Sequence, residues 1–399
     1  MTRVQVHLDR TPGAPVLVGV ADIARLRGAT TTTFSYDPDY LAGPGWEVSP
    51  DLPTADRETT VEGLPGAIDD CAPDSWGRNL IARRSASRAR DAGQPAPTPT
   101  EIDFLLGVSD RTRQGALRFT TGGEFLAATT DVPRSLELET LLDAALEVAS
   151  TGPREQDAIQ LLLDAGSGSL GGARPKASVI DGDRLHLAKF PHPDDRWDVI
   201  RWEAVALDLA AQCGFEVPEH RLVVVAGKPI LLLERFDRRA GARVPFVSGR
   251  SLTRVRDRAP DYLELAEAIT DHGGAVRADL RELWLRIAFS VAINNTDDHF
   301  RNHGFLHEAE GWRLSPLYDV NPDPRPNAGR ASSIAGATTP AECLDALVGA
   351  AARFDLDRSD TDREWRRIVD VVRGWRDVAT THEIDGPEQE AFAAALDRW

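Results

Sequence analysis

Asp297 and Asn302 lie in "INNTDDHFRNHGF" (293–305) with the spacing D-x4-N, just after the apolar run "LWLRIAFSVA" (283–292). In phosphoryl transfer a carboxylate orients or deprotonates the attacking hydroxyl, and an amide oxygen a few residues on can hold a Mg2+ that bridges phosphates. The same pair can be a solvated turn in which Asp caps a helix. Downstream, "WRLSPLYDV" (312–320) reads as a strand ending in Asp319, a second metal carboxylate or a turn aspartate before "NPDP". Mg2+ in nucleotide sites uses one or two carboxylates plus substrate phosphates. Upstream, Lys189 ends "LHLAKF", where a strand lysine can reach the α- and β-phosphates. Glu203 in "RWEAV" can pair with it and orient it; each taken alone also fits an exposed surface residue.

Further residues test other chemistries. His299, His303 and His307 recur every four residues and would align on one helix to bind Zn2+. Gly304 interrupts that run, and no HExxH or cysteine pair supports it. Seryl hydrolysis lacks a GxSxG elbow. Only three of 46 basic residues are lysine: Lys176, Lys189 and Lys228. A compact ammonium fits a tight phosphate site where a broad guanidinium does not. Lys228, in "VAGKPI", reads as a turn residue, which leaves Lys176 and Lys189 for attention.

These groups need elements to position them. Residues 166–190, "GSGSLGGARPKASVIDGDRLHLAKF", read as a Gly-rich loop leading into a hairpin, without the spacing of a Walker A motif. An amphipathic helix follows over 199–214, then a second hairpin over 220–238 whose last strand runs into charges. Beyond residue 250 helices are expected at 260–272, 279–295, 341–355, 362–377 and 386–398. Residues 1–85 read as short strands with a helix near 69–84, and 85–101 as a loop or linker rich in Ala, Pro, Ser and Thr. Helices are also expected at 137–150 and 157–166. The fold class is α+β: a two-lobed protein-kinase-like fold with a β-rich N-terminal part and an all-α C-terminal lobe. Gly-rich loop, strand Lys, helix Glu, interlobe strand, D-x4-N loop and late Asp stand in kinase order.

The 399 residues are 42% hydrophobic and 27% charged, a globular composition. The net charge of −17 disfavours direct binding of the bulk surface to DNA or RNA. No signal-like N-terminus or membrane-length apolar run is read, and three scattered cysteines fit reduced thiols in a cytosol.

The stretches "SLGGARPKA", "HLAKF", "WEAVALDLAAQCGFEVPE", "ILLLERFDR", "NNTDDHFRNHGFL" and "LSPLYDV" resemble the HipA-type serine/threonine kinases, toxin components of bacterial toxin–antitoxin pairs. "TFSYDPDYLAGPG" and "LPGAIDDCAPDSWGRNLI" resemble that family's first domain. The resemblance implies ATP- and Mg2+-dependent phosphorylation of a protein serine, in some members on an aminoacyl-tRNA synthetase. It implies Asp297 as catalytic base and Asn302 and Asp319 as Mg2+ ligands. Lys189 and the loop residues Ser169, Gly171 and Gly172 would hold ATP. Glu234 and Phe236 would lie at the adenine and hinge region, with His299 and Tyr318 flanking the nucleotide. Ser169 matches the family's autophosphorylated loop serine, and Ser167 offers a second acceptor. A phosphoserine there puts nearly two negative charges where ATP phosphates should bind.

The implied division is an N-terminal HipA-type subdomain over 1–100, a kinase N-lobe over 101–237 and a helical C-lobe over 238–399. The implied partners are a protein substrate and a small helix-turn-helix antitoxin, with DNA reached only through the antitoxin, no membrane, and a cytoplasmic location. The chain departs from the best-known members at Asp298, where they have Gly. That extra carboxylate is expected to help bind metal or to repel phosphate. The segment "ARVPFVSGRSLTRVRD" also replaces a Gln-containing stretch that helps hold the nucleotide. Two rival readings are a catalytically inactive, kinase-shaped co-repressor within an antitoxin–DNA complex, and a small-molecule kinase.

Overall fold

A computed structural model describes residues 1–11, 14–26, 28–55, 57–125, 132–150, 152, 154–168, 172–255 and 258–399. The chain divides into two compact units. The first comprises Met1–Asp194 and Val223–Val247, the second Asp195–Leu222 and Ser248–Trp399.

In the first unit, β1 (Thr2–Leu8), β2 (Val16–Leu26), β3 (Ala29–Tyr36), β4 (Glu58–Glu62) and β5 (Leu117–Thr120) form an antiparallel sheet in the order β4-β3-β2-β1-β5. Alternation drives it: Val4, Val6 and Leu8 of β1 and Thr32, Phe34 and Tyr36 of β3 are buried, with more exposed residues between them. A second sheet joins β6 (Lys176–Asp181), β7 (Arg184–Lys189), β8 (His220–Val225, of which Val223–Val225 fall in this unit) and β9 (Lys228–Glu234) in the order β6-β7-β9-β8. Its Ala177, Val179, Ala188, Ile230 and Leu232 enter one core with Trp76, Leu80 and Ile81 of helix Ser75–Asp91 and the apolar faces of helices Leu138–Ala149 and Glu155–Asp164.

Two local expectations change. The helix expected near 69–84 is two helices, Gly66–Asp69 and Ser75–Asp91, parted around Pro73; proline supplies no N–H and resists a helix interior. The linker expected from residue 85 begins later, because "SASRARD" continues the helix to Asp91. Ala and Arg are good helix formers, and Arg88 and Arg90 in the last turn favour the negative end of the macrodipole.

The second unit is mainly helical: Val199–Gln212, Tyr262–His272, Val276–Ala292, Pro340–Gly349, Arg358–Val372, Trp375–Thr381 and Gly386–Leu396 are its longer helices. The helix expected over 362–377 is interrupted at Arg373 and Gly374, where glycine lowers helix propensity. The part expected to be all-α also carries an antiparallel hairpin, Gly304–Glu308 with Gly311–Leu314. Trp202 stacks on Phe392 with ring centroids 3.8 Å apart and tilts against Trp375 at 5.7 Å, which joins the first helix to the last two. Among the described residues no helix is long and apolar enough to cross a membrane, and Cys71, Cys213 and Cys343 are free and buried.

Candidate functional site

In the first unit, Lys176 pairs directly with Lys189 across β6 and β7, and Lys189 pairs with Leu231 of β9. Directly opposed residues share a sheet face. Both lysines therefore lie on the face away from the helix-packed core, with Leu187, Leu231 and Leu233. They are 4% and 8% exposed. Like charges directly opposite destabilise a sheet, so two buried ammonium groups in this register favour an anion beside them. Lys228 sits exposed at the start of β9.

The Gly-rich loop is anchored at both described ends to the start of helix Ser75–Asp91. The Trp76 indole N–H donates to the Ser167 hydroxyl at 2.9 Å, and Ser167 donates to the Lys176 carbonyl. Ser167 is 1% exposed. A Cβ on Gly77 would come within 2.7 Å of the Gly168 Cα, so only glycine permits that approach. Asp74 occupies the helix N-cap, yet its carboxylate accepts from the Gly172 N–H at 2.9 Å rather than from the helix. Gly172 has φ +103°, and a Cβ there would collide with the Lys176 ammonium. Ser169 and Gly171 lie outside the described residues.

At the end of β9, the Glu234 side chain is on the other face, paired with Arg184 at 2.7 Å. Phe236 follows it, tilted against Phe246 at 6.5 Å. Beyond it, the buried Asp237 carboxylate accepts from Arg235 at 2.5 Å, Arg238 at 2.9 Å and the Gly115 N–H at 2.8 Å. Burial pushes this carboxyl up, but the two guanidinium groups outweigh it and hold the carboxyl well below the usual range.

In the second unit, helix Val276–Ala292 gives way to the loop at Asn294, whose φ of +54° is the left-handed conformation that ends helices and that Asn tolerates. From Arg286 to Asp298 every residue is buried except Asp297, which is exposed. Asn302 is 7% exposed, and its amide nitrogen donates to the Asp297 carbonyl at 3.2 Å. The amide oxygen is thereby the atom left to meet a cation. His299 precedes the short 3-10 turn Phe300–Asn302 and is half-buried. The Tyr318 hydroxyl donates to the Arg301 carbonyl at 2.7 Å and ties the segment carrying Asp319 to the D-x4-N loop. Asp319 has φ +57°, a sparsely populated region for a residue other than glycine, and such strain concentrates at functional sites. Glu203 is 2% exposed on helix Val199–Gln212.

Asp298 corrects an expectation. Its carboxylate does not reach outward toward metal or phosphate. It is 5% exposed and accepts from His303 at 2.9 Å, Ser290 at 2.7 Å and Arg330 at 3.3 Å. Burial pushes it up, but His303 and Arg330 outweigh burial and bring it well below the usual carboxylate range. The three histidines spaced four apart part company. His303 serves Asp298, and His307, on the hairpin, meets Trp312 edge-on at 5.0 Å. Among the described residues no group of His, Cys, Asp and Glu is arranged to hold a metal without further ligands.

Comparison with known proteins places this arrangement. Residues 168–375 match the model of the HipA-like C-terminal domain, and residues 15–95 that of the HipA N-terminal domain. The chain belongs to the HipA family. It is 24% identical over 288 residues to Toxin YjjJ of Escherichia coli K12, covering 66% of this chain and 61% of that protein. It is 26% identical over 186 residues to a putative kinase of Haemophilus influenzae, covering 40% of this chain and 54% of that one. The chain thus spans little more than half the length of these curated relatives. Among solved structures, HipA from the Shewanella oneidensis MR-1 complex of HipA, HipB and operator DNA superposes with a TM-score of 0.67. That match has 18% identity and covers 99% of this chain and 96% of that one. The fold is the kinase-like α+β fold of HipA.

The sequence pattern gives Lys176 no role, and the scarcity of lysine is the signal that singles it out. Arg330, Ser290 and His303 gave no such signal, because their meeting at Asp298 joins residues up to 40 apart in the chain.

Proposed function

We propose that this protein is an ATP- and Mg2+-dependent serine/threonine protein kinase of the HipA toxin type, with Asp297 as its base. The observation that carries the reading is the presentation of Asp297: one exposed carboxylate in a buried, hydrogen-bonded run. A structural carboxylate in such a run would be turned inward, as Asp298 is. A base must reach the proton it accepts and be held still while doing so.

The other roles follow by residue chemistry. Lys189, with Lys176, would neutralise ATP phosphates, supported by the two lysines' shared sheet face and their burial. Leu187, Leu231 and Leu233 on that face offer an apolar bed for a base, and the backbone at Glu234 and Phe236 ends the same strand. Gly172 would let phosphate approach the chain. Asn302 and Asp319 fit a hard cation, offering an amide oxygen and a carboxylate. Mg2+ held there would neutralise the phosphate oxygens. His299 and Tyr318 would flank the nucleotide. Asp297 accepts the proton of the substrate serine as phosphate is transferred. Ser169 would be the self-acceptor in the Gly-rich loop, and Ser167 a second one reached only once its bonds to Trp76 and Lys176 are released. The substrate class would be an aminoacyl-tRNA synthetase, the partner a small helix-turn-helix antitoxin that alone contacts DNA, and the compartment the cytoplasm. In this reading residues 1–100 form the N-terminal subdomain, 101–237 the N-lobe and 238–399 the C-lobe.

Intact-mass spectrometry after incubation with ATP and Mg2+, starting from unphosphorylated protein, tests this. Wild type should gain phosphate on Ser169 or Ser167, and Asp297→Asn should lose the gain by at least about 100-fold in rate. Asp297→Asn should keep wild-type thermal stability within about 0.5 kcal/mol, because the side chain is exposed. No added mass and no ATP binding by calorimetry would overturn the kinase reading in favour of the co-repressor.

A further inference from the structure

We infer that Asp298 and Arg330 are positioning residues for Asp297, and that the segment 323–332 is the template on which this base is set. The inference rests on the reading of Asp297 as the base.

Five consecutive carbonyls, from Asn294 to Asp298, each accept a hydrogen bond, and four of the five accept one from this segment. The Asp323 N–H donates to the Asn294 carbonyl at 3.1 Å, and the Ala331 N–H donates to that of Thr296 at 2.8 Å. The Arg330 guanidinium donates to the Asn295 carbonyl at 2.9 Å, and the Ser332 hydroxyl to that of Asp298 at 2.7 Å. The fifth carbonyl, that of Asp297 itself, takes the Asn302 amide. Side chains repeat the pattern. Thr296 donates to the Asp323 carboxylate at 2.8 Å, and the Asn294 amide donates to the Asp323 carbonyl at 2.6 Å. Arg330 reaches the backbone of Asn295 with one nitrogen and the Ser290 hydroxyl and Asp298 carboxylate with the other. It thus grips the loop on both sides of Asp297. Its planar fork is what allows this, and a lysine has no equivalent.

Burial makes the arrangement specific. Asp298, His303, Ser290 and Arg330 are 5%, 1%, 2% and 8% exposed. An ion pair so buried gives stability no better than apolar residues of similar size would, so stability alone does not account for it. Its evident effect is orientation: anchoring residue 298 inward leaves its neighbour 297 outward. The template follows directly on Asp319, so one stretch of chain carries the candidate metal carboxylate and then fixes the base. A base displaced by about 1 Å loses on the order of 100-fold in rate.

The test uses the full chain with the double variant Asp298→Asn/Arg330→Met, which removes both charges together, and the milder Ser332→Ala. Phosphoryl transfer from ATP, to the protein or to water, is measured alongside ATP affinity and hydrogen exchange over 294–303. The expected result is a kcat about 100-fold lower for the double variant and several-fold lower for Ser332→Ala. ATP affinity should stay within about threefold, with faster exchange confined to the loop. Should the double variant fail to fold, Ser332→Ala carries the same test. An active wild type whose variants transfer phosphate at the same kcat, or whose loss lies wholly in KM for ATP, overturns the positioning role and leaves the kinase reading intact. A wild type that transfers no phosphate overturns the kinase reading, and the positioning role with it.

Discussion

Adjacent aspartates at 297 and 298 have opposite fates. One carboxylate is exposed and the other is enclosed by His303, Ser290 and Arg330. Residue type cannot distinguish them, and the difference lies in what surrounds each. The two lysines on β6 and β7 make a second residue-scale case. Directly opposed like charges destabilise a sheet by about 0.2–1 kcal/mol where nothing compensates them, so Lys176→Met should shift apo stability by no more than about 1 kcal/mol. It should also weaken ATP at least ~10-fold, about 1.4 kcal/mol. Thermal melts with and without ATP and Mg2+ check both halves. A variant that keeps the full ATP-induced shift would remove Lys176 from the site.

At the scale of elements, one carboxylate links three segments of the second unit. Asp208, on helix Val199–Gln212, accepts from His220 at 3.0 Å and from His382 at 2.6 Å. His220 also faces the Pro218 carbonyl at 3.0 Å, so both its ring nitrogens meet acceptors and the protonated ring fits best. Burial lowers the His220 value, but the bonds to Asp208 and Pro218 outweigh it and raise it above the ordinary 6.5. Burial raises the Asp208 value, and the two histidines outweigh that and hold it below the usual range. A raised histidine stabilises fully below its unfolded pKa and loses that stability as pH climbs through the raised folded value. A depressed carboxylate stabilises above its unfolded pKa, about 3.9, and loses it as pH falls toward the folded value. The clamp is therefore strongest between about pH 4 and 6.5. Asp208→Asn should cost about 1–2 kcal/mol there, a modest figure because Asp208 is 37% exposed, and less once pH has climbed through the raised His220 value. Urea midpoints of the two proteins across pH 4–9 test this; a constant difference would show that His220 does not titrate against Asp208.

For the whole molecule, the net charge of −17 sets the terms of association. It repels a phosphate backbone at long range, so the chain alone should not retain duplex DNA in a mobility shift at ~0.15 M salt. An antitoxin with a basic face should restore binding. Tight, steeply salt-dependent binding by the isolated chain would overturn the view that DNA is reached through a partner.

Much of this protein was legible in its sequence. Hairpins around "DGD" and "AGK", the helix "VIRWEAVALDLAAQ" and the order of Lys189, Glu203, Asp297, Asn302 and Asp319 are local or serial features, and period and spacing encode them directly. Helix Ser75–Asp91 runs past its expected end because Ala, Ser and Arg suit either a linker or a helix, and the burial of Ala89 near its end is not encoded in local composition. Register was decided only in three dimensions: a strand pairing, not a spacing, sets Lys176 against Lys189. The inward turn of Asp298 was likewise decided there, because a buried charge survives only where partners from distant segments converge on it. The sequence by itself names the groups that can do the chemistry. Tertiary structure determines which of two neighbouring carboxylates meets solvent, since burial depends on the chain folding back over itself.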